Sequence, residues 1–223
     1  MLVSHRHKFI YTKTRKTGGT SVESYFEPYC MAEGEWTPSH SRSQYVSASG
    51  IIGQRGGGNA HRFRWWNHMP ASVIREQLGA ELWMAYFKFC VVRNPYEKVV
   101  SMFFFEQRRG TVAATTPERA AADFERWVLG TELPLDREHY LINGQICMDA
   151  ILRHETLSSD LEQVCRRLKL PWKPEALPCY KTGIRPPWAA AAALYRTPSL
   201  ARIAEVFAYE LDQFGYRAET PRC

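Results

Sequence analysis

The sequence lacks any long hydrophobic run. Its longest largely apolar stretches, residues 87–92 and 99–105, are separated by charged and polar residues. Neither approaches the roughly 18 apolar residues that a membrane-spanning helix needs. Residues 5–8 are basic and polar, and no apolar segment with a small-residue cleavage site follows them. We therefore expect no membrane span, no export signal and a cytoplasmic location.

Closely spaced cysteines are also missing. Six cysteines lie far apart, and no CxxC pair occurs among them. Because disulfide frameworks and zinc ribbons depend on such spacing, we expect reduced thiols. His5 and His7 form an HxH pair, but the neighbouring sequence offers no third ligand. The sequence therefore predicts no metal site.

Acidic residues are the minority among the charged ones. The 223 residues include 29 Lys and Arg against 23 Asp and Glu, a formal net charge of +6. This excess favours a polyanionic partner: a nucleotide, an acidic glycan, a nucleic acid or an anionic lipid. Hydrophobic residues make up 45% of the chain, so we expect one globular domain over residues 1–223. Residues 33–59 are rich in Ser and Gly, which predicts a mobile loop.

Capping signals predict five helix starts. Each has a hydroxyl or amide side chain that precedes Pro or is followed by Glu three residues on; they stand at Thr20, Asn94, Thr116, Ser159 and Thr197. Strand-like segments at residues 8–13, 86–92 and 150–153 precede three of these helices. Repeated strand, turn and helix indicate an α/β fold with three layers, in which helices flank a mainly parallel central sheet.

A glycine-bearing loop joins the first predicted strand to the first helix. Residues 13–21 read Lys-Thr-Arg-Lys-Thr-Gly-Gly-Thr-Ser, and we call them the cradle loop. Paired glycines let the backbone approach an anion, which the N–H groups and macrodipole of a helix start attract. In a Walker A loop the Lys follows the second Gly, whereas Lys16 precedes Gly18 and Gly19. The loop predicts an anion site of another kind, or alternatively an ordinary glycine turn.

A second candidate motif follows the predicted strand 86–92. Arg93 stands at the strand's end, where its guanidinium can bind a phosphate through two N–H groups. Ser101 lies two helical turns beyond the cap Asn94. A magnesium-dependent NTPase would have an Asp where Arg93 stands, so metal-assisted ATP hydrolysis is disfavoured. Pairing of Arg93 with a surface carboxylate is the alternative.

Together the two motifs resemble those of sulfotransferases that use 3′-phosphoadenosine 5′-phosphosulfate (PAPS), and specifically the carbohydrate-type branch, sulfotransferase family 2. In that branch the loop reads Pro-Lys-Thr-Gly-Gly-Thr-Ser and the second motif reads Arg-Asn-Pro-Tyr-x-Arg-x-x-Ser. The resemblance continues through residues 67–71, 83–89, 153–161 and 210–216. It implies a P-loop-like sulfotransferase fold and, without the membrane anchor of animal Golgi members, a soluble bacterial-type enzyme.

The resemblance also implies roles for individual residues. Lys16 would neutralise charge on the leaving oxygen, and His68 would be the general base that removes the acceptor's proton. The residues expected to bind PAPS are Arg15, Lys16, Thr17, Gly18, Gly19, Thr20, Ser21, Arg93, Ser101 and Lys181. Arg15 replaces the family's Pro, which leaves open whether Lys13, Arg15 or Lys16 contacts the leaving phosphate.

The implied reaction transfers a sulfuryl group from PAPS to a hydroxyl or amine of a carbohydrate or other small acceptor, without a metal or nucleic acid. Two other classes stay open: a basic module that binds nucleic acid or anionic glycan, and a P-loop-type nucleotide kinase. Residues 62–66, Arg-Phe-Arg-Trp-Trp, could stack bases, line an acceptor cleft or pack in the core. His68 could be structural, and His61 is then the rival base.

Overall fold

A computed structural model of the chain describes residues 1–57, 62–180 and 183–218. The chain divides into two compact units. The first comprises Met1–Val92 and Asp136–Tyr180, and the second comprises Arg93–Leu135 and Lys181–Cys223. The chain therefore leaves the first unit at Arg93, returns to it at Asp136 and leaves it again at Lys181.

The first unit contains the sheets and part of the helices. Its strands are β1 (Leu2–Ser4), β2 (Phe9–Tyr11), β3 (Tyr45–Ser47), β4 (Gly50–Ile52), β5 (Phe87–Val92), β6 (Leu141–Ile142), β7 (Gln145–Ile146) and β8 (Ala150–Arg153). Its α-helices are α1 (Gly19–Phe26), α2 (Ala71–Leu78), α3 (Ala80–Ala85) and α6 (Leu157–Leu168). The second unit contains the helices α4 (Pro95–Arg109), α5 (Ala120–Gly130), α7 (Ala191–Leu194), α8 (Thr197–Val206) and α9 (Ala208–Phe214).

The main sheet has six strands in the order β3, β4, β1, β2, β5, β8. Strands β2, β5 and β8 are parallel, and β1, β3 and β4 add an antiparallel half. The predicted α/β fold is confirmed, with all three predicted strands in its parallel half. Since parallel strands end at the same sheet edge, the turns after β2 and β8 lie on one side of the first unit.

Aromatic packing fixes α1 on the sheet. The Phe26 ring of α1 lies edge-on to Phe9 of β2 and Phe89 of β5, with ring centroids 5.5 and 5.3 Å apart. All three side chains are fully buried. Each such aromatic pair contributes about 1 kcal/mol beyond the burial of its area. This packing holds the C-terminal end of α1 against β2 and β5.

The segment 33–59 contains strands where the sequence predicts a loop. Strands β3 and β4 pair with each other, and β4 also pairs with β1. Gly50 shows why the composition misleads: a Cβ there would collide with the carbonyl oxygen of Val3 and lie 2.8 Å from that of Cys30. Glycine at this position serves close packing of the backbone rather than mobility.

The predicted helix starts have mixed outcomes. Asn94 is confirmed as a cap, because its side chain accepts a hydrogen bond from the Tyr96 N–H at 3.0 Å. Helix α8 begins at Thr197, within one residue of its prediction. The predicted start at Thr116 is wrong, because residues 116–119 close a separate turn and α5 begins at Ala120.

The predicted start at Ser159 is also wrong. Thr156 is the cap residue of α6, which begins at Leu157, so Ser159 lies inside the helix. The Asp160 carboxylate accepts the N–H of Arg153 at 2.8 Å and the Thr156 hydroxyl at 3.1 Å. A carboxylate in the first turn thus binds groups that precede the helix, which lets the helix begin earlier.

An aromatic cluster forms the core of the second unit. Phe103 of α4 packs against Phe124 and Trp127 of α5, and Phe124 packs against Tyr195 after α7. Among the described residues, no helix combines the length and apolar character that crossing a membrane requires. The five cysteines in those residues are free thiols.

Candidate active site

The cradle loop enters α1 through left-handed backbone. Lys16 has φ +61° and Gly18 has φ +74°, and Gly18 is the cap residue. Glycine suits such a position because a side chain is strained there. The predicted capping box of Thr20 and Glu23 is wrong: among the described residues, no side chain caps α1. Thr20 instead accepts a hydrogen bond from the Lys13 ammonium at 3.2 Å.

The start of α1 is therefore electropositive. The first N–H groups of an α-helix have no acceptor within the helix. All residues of α1 are described, and its first turn contains no acidic residue. The partial positive charge of the helix macrodipole is thus not offset by a carboxylate in that turn. Backbone donors and the dipole together favour an anion at this position.

Gly19 allows close approach of the loop to the protein beneath it. A Cβ there would lie 2.8 Å from Cγ of Lys13 and 3.1 Å from the hydroxyl oxygen of Tyr11. The Tyr11 hydroxyl is buried and has no hydrogen-bond partner among the described residues. Burial, and then the charge of Glu23, raise the pKa of Tyr11 well above its usual value. A neutral phenol thus lies directly under the loop.

Two hydroxyl side chains of the loop make internal hydrogen bonds. Thr14 donates to the carbonyl of Val91, and its oxygen lies 2.8 Å from that of Thr17. Since the single proton of Thr14 goes to Val91, Thr17 is the donor in that pair. Ser21 accepts from the Tyr180 N–H at 3.3 Å, which leaves its own proton for donation. Thr17 therefore offers a ligand its backbone, and Ser21 offers its hydroxyl as well.

The charge of Lys13 is balanced inside the protein. Its ammonium is buried and lies 2.6 Å from a carboxylate oxygen of Glu23. Arg55 lies 3.1 Å from the same oxygen. Burial alone would raise the pKa of Glu23, but the charges of Lys13, the N-terminal amine and Arg55 outweigh it and hold the pKa well below its usual value. The other cations of the loop, Arg15 and Lys16, are half-buried.

His68 contacts the cradle loop directly. Its Nδ1 lies 3.0 Å from the carbonyl oxygen of Lys13. Because a carbonyl only accepts, Nδ1 carries the proton and Nε2 carries the lone pair. Burial, and then the charge of Lys13, lower the pKa of His68 well below 6.5. At neutral pH the side chain is therefore an uncharged imidazole whose Nε2 can accept a proton.

Asp136 and His139 add to the contact between His68 and the cradle loop, and the sequence analysis singles out neither of them. Asp136 accepts the Arg15 N–H at 3.0 Å, and Nε2 of His139 lies 3.0 Å from the carbonyl oxygen of His68. Both Asp136 and His139 are buried. A D-x-x-H sequence is too common to identify such a site, and the contact to His68 spans 71 residues.

His154 is a third residue that the analysis does not predict at the site. It follows β8, and a Cβ on Gly18 would lie 3.6 Å from its Cδ2. The signal was present in the sequence, because residues that follow parallel strands gather at one sheet edge.

In the second unit, Arg93 forms an ion pair. Its Nη2 lies 3.5 Å from Oε2 of Glu97, and Nη1 of Arg185 lies 2.6 Å from the same oxygen. Ser101 is half-buried on α4. The carboxylate pairing that the sequence left open therefore exists. It holds the Arg93 guanidinium at the start of α4.

Two predicted residues, Lys181 and His61, lie outside the described residues. Within residues 1–57, 62–180 and 183–218, no group of three or more His, Cys, Asp or Glu side chains is placed to hold a metal ion.

Comparisons with known proteins identify the family. A protein of Archaeoglobus fulgidus described as uncharacterized is 30% identical over 108 residues, which are 46% of this chain and 84% of that protein. No solved structure matches the chain. The family model described as "Sulfotransferase family" matches residues 1–216, which include parts of both units. The chain therefore belongs to the sulfotransferase family.

Proposed function

We propose that this sulfotransferase transfers a sulfuryl group from PAPS to a hydroxyl or amine of a carbohydrate or other small acceptor. The observation that carries the proposal is the start of α1. It combines a left-handed glycine cap, a first turn without acid and a buried neutral phenol under Gly19. Such a start fits the phosphosulfate end of the donor better than it fits a neutral ligand.

Residues of both motifs would hold the donor. Backbone N–H groups from Thr17 to Thr20, the Ser21 hydroxyl and the side chains of Arg15 and Lys16 would bind the phosphosulfate. Arg93 and Ser101 would bind the 3′-phosphate, and Lys181 would approach the nucleotide. The internal pairing of Lys13 with Glu23 supports Arg15 and Lys16, rather than Lys13, as the cations at the leaving phosphate.

His68 would act as the general base. When bound, PAPS supplies an activated sulfuryl group and a phosphate that keeps the electrons of the broken S–O bond. Nε2 of His68 would accept the proton of the acceptor as its oxygen or nitrogen bonds to sulfur. Donation from Nδ1 to the Lys13 carbonyl fixes the ring and its tautomer. Lys16 would stabilise the charge on the leaving phosphate.

The geometry supports the transferase over the two alternative classes. Lys16 precedes the glycine pair and Arg93 directly follows β5, both unlike a magnesium-dependent kinase. Trp65 is buried, with the guanidinium of Arg64 5.8 Å from the centre of its ring. A buried ring cannot stack on a base, which excludes Trp65 from a nucleic-acid platform, whereas Phe63 of the same segment is exposed.

Thermal unfolding with nucleotides tests the donor site. The product 3′-phosphoadenosine 5′-phosphate (PAP), at a hundredfold excess over its Kd, should add about 2.7 kcal/mol of stability. For a chain of this size the Tm should rise by about 5–10 °C. AMP and ATP with magnesium are the controls. A rise with ATP and magnesium alone would overturn the proposal in favour of a kinase.

A second test concerns the base. His68→Ala should lower kcat for sulfuryl transfer from PAPS by about 100-fold and leave PAP affinity unchanged. His5→Ala is the matched control, since His5 is a half-buried histidine of the same unit, bonded to the Tyr86 hydroxyl instead of the cradle loop. Wild-type kcat in His68→Ala would remove His68 from this role.

A further inference from the structure

A short turn of the first unit links His68 to the cradle loop. Residues Arg137–His139 form one turn of 3-10 helix, preceded by Asp136. The Asp136 carboxylate accepts the Arg15 N–H at 3.0 Å. Nε2 of His139 lies 3.0 Å from the His68 carbonyl oxygen, and Nδ1 of His68 lies 3.0 Å from the Lys13 carbonyl oxygen. These three contacts, with the short turn itself, close a ring through three segments that are far apart in sequence.

Both ring nitrogens of His139 face oxygen acceptors. Nε2 faces the His68 carbonyl, and Nδ1 lies 3.2 Å from the Asp136 carbonyl. Since carbonyls only accept, a ring nitrogen that carries a proton donates to the carbonyl it faces. Carboxylate oxygens of Asp136 and Glu138 lie 3.8 and 4.0 Å from Nδ1. The hydrogen bond to the His68 carbonyl is therefore donated by the Nε2–H of His139.

His68 needs such a partner because its backbone is strained. Its φ of +57° lies in the left-handed region, which non-glycine residues adopt only when surrounding contacts hold them there. The hydrogen bond from His139 is made to the carbonyl of His68 itself. It therefore acts on the peptide whose conformation aims the imidazole ring.

We infer that His139 is a positioning residue for sulfuryl transfer: through the His68 carbonyl it holds His68 in its left-handed conformation, and through Asp136 it fixes His68 relative to the cradle loop. The inference rests on the proposed role of His68 as the base. His139 makes no contact with the reacting atoms in this scheme, so its loss acts on kcat through His68.

Two amide variants separate the two hydrogen bonds of His139. In His139→Gln the amide nitrogen takes the place of Nε2 and still donates to His68. In His139→Asn it takes the place of Nδ1 and donates to Asp136 only. We expect His139→Asn to lower kcat about 10-fold or more, since small displacements of a catalytic group have effects of this size. His139→Gln should retain most of the wild-type kcat, and both variants should retain PAP affinity.

The matched control is His5→Asn, which removes a histidine hydrogen bond elsewhere in the first unit and should leave kcat unchanged. Wild-type kcat in His139→Asn, beside a loss in His68→Ala, would overturn the inference and leave the proposed function standing. Equal losses in the Gln and Asn variants would overturn it too, because a merely structural role does not distinguish the two nitrogens.

Nitrogen-15 NMR of the histidine rings gives a readout that does not depend on activity. In the wild type we expect a proton on Nε2 of His139 and a proton on Nδ1 of His68. In His139→Asn, His68 should become a mixture of tautomers. An unprotonated Nε2 on wild-type His139 would overturn the inference, and this measurement decides it even if His139→Asn fails to fold. If His68→Ala keeps full activity, the proposed role of His68 as the base fails, while the NMR result still decides whether His139 positions His68.

Discussion

Helices α1 and α4 each follow a strand of the main sheet along the chain, yet their starts are built in opposite ways. Helix α1 follows β2 through Gly18, and among the described residues neither a side-chain cap nor a first-turn acid occurs at its start. Helix α4 follows β5 through Asn94, whose side chain caps the Tyr96 N–H, and Glu97 lies in its first turn. One helix start leaves its donors to a ligand, and the other satisfies them within the chain.

The difference indicates two ways of recognising an anion. At α1 the backbone and the macrodipole attract the charge, so side chains there must not compete, and Thr17 and Thr20 are bonded within the protein. At α4 the backbone is already capped, so binding of the proposed 3′-phosphate would depend on the guanidinium of Arg93, which Glu97 holds in place. Substitutions should therefore have different consequences at the two helix starts.

The largest effect is expected where the α1 start depends on a buried ion pair. Lys13→Met removes the cation 2.6 Å from the buried Glu23 carboxylate and leaves it with Arg55 and the N-terminal amine. Breaking one side of a buried pair costs about 3 kcal/mol or more, so we expect a Tm lower by about 6–12 °C. Lys173→Met, at an exposed position, is the control. Differential scanning calorimetry compares the two variants.

The same variant gives a pH test with a definite sign. The pKa of Glu23 lies below its ordinary 4.5 in the folded chain, so at acidic pH the unfolded chain binds more protons. The stabilisation is therefore fully present above pH 4.5 and is lost as the pH falls below it. The difference in unfolding free energy between wild type and Lys13→Met should narrow below pH 4.5, and a constant difference would contradict the ion-pair explanation.

The next effect is on chemistry rather than on stability. Lys16→Met should lower kcat by about 100-fold, equivalent to about 2.7 kcal/mol of transition-state stabilisation, because the charge on the leaving phosphate loses its nearest proposed cation. Calorimetry should find its Tm close to that of the wild type. Lys13 and Lys16 would then differ as structural and catalytic cations within one loop. A Tm loss as large as that of Lys13→Met would remove this distinction.

Adding a methyl group at Gly19 tests whether the backbone at the start of α1 binds the anion. In Gly19→Ala the new Cβ would meet Lys13 Cγ at 2.8 Å and the Tyr11 hydroxyl at 3.1 Å. We expect a cost of about 1–3 kcal/mol and weaker PAP binding by isothermal titration calorimetry. The matched control is Gly130→Ala, where nothing lies within 4 Å. PAP affinity equal to that of the wild type in Gly19→Ala would place the anion elsewhere.

The side-chain site at α4 should respond in another way. Arg93→Ala should weaken PAP binding by about 10-fold, the value of one charge-assisted hydrogen bond, and should reduce the preference for PAP over AMP. Arg109→Ala removes an exposed cation from the end of the same helix and should change neither. An undiminished preference for PAP in Arg93→Ala would show that the 3′-phosphate is recognised by other residues.

Which parts of this site the sequence could predict depends on how far apart in the sequence the contacting residues lie. The cradle loop could be predicted because glycine pairs at a strand–helix junction act through neighbouring backbone, and Asn94 because a cap bonds two residues away. The capping box predicted for Thr20 and Glu23 is wrong because the Glu23 carboxylate pairs with Arg55, 32 residues away. This ion pair overrides the local capping signal. The strands β3 and β4 within residues 33–59 were not predicted because Gly50, which reads as a loop residue, allows close packing against Val3 of β1.

The positioning of His68 lies beyond sequence reasoning for the same reason. His139 and Asp136 contact residues 71 and 121 positions away, and no local pattern marks them. The predicted strands, by contrast, agree closely with β2, β5 and β8, because buried parallel strands have a nearly continuous apolar sequence. Tertiary contacts between polar groups are thus the part of the site that only the structure provides.

The smallest expected effect tests the claim that α4 satisfies its own donors. Asn94→Ala removes the acceptor for the Tyr96 N–H and also the donor to the Arg217 carbonyl at 2.9 Å. Loss of a cap costs about 1 kcal/mol, which corresponds to a Tm lower by about 3 °C in a chain of this size. Asn94→Asp keeps the cap acceptor and loses the donor, so it separates the two bonds. If the Asn94 cap stabilises α4, Asn94→Asp should recover most of the Tm that Asn94→Ala loses. If Asn94→Asp does not recover it, the bond to Arg217 is the important one. The contrast between α1 and α4 then rests on the first-turn acid alone.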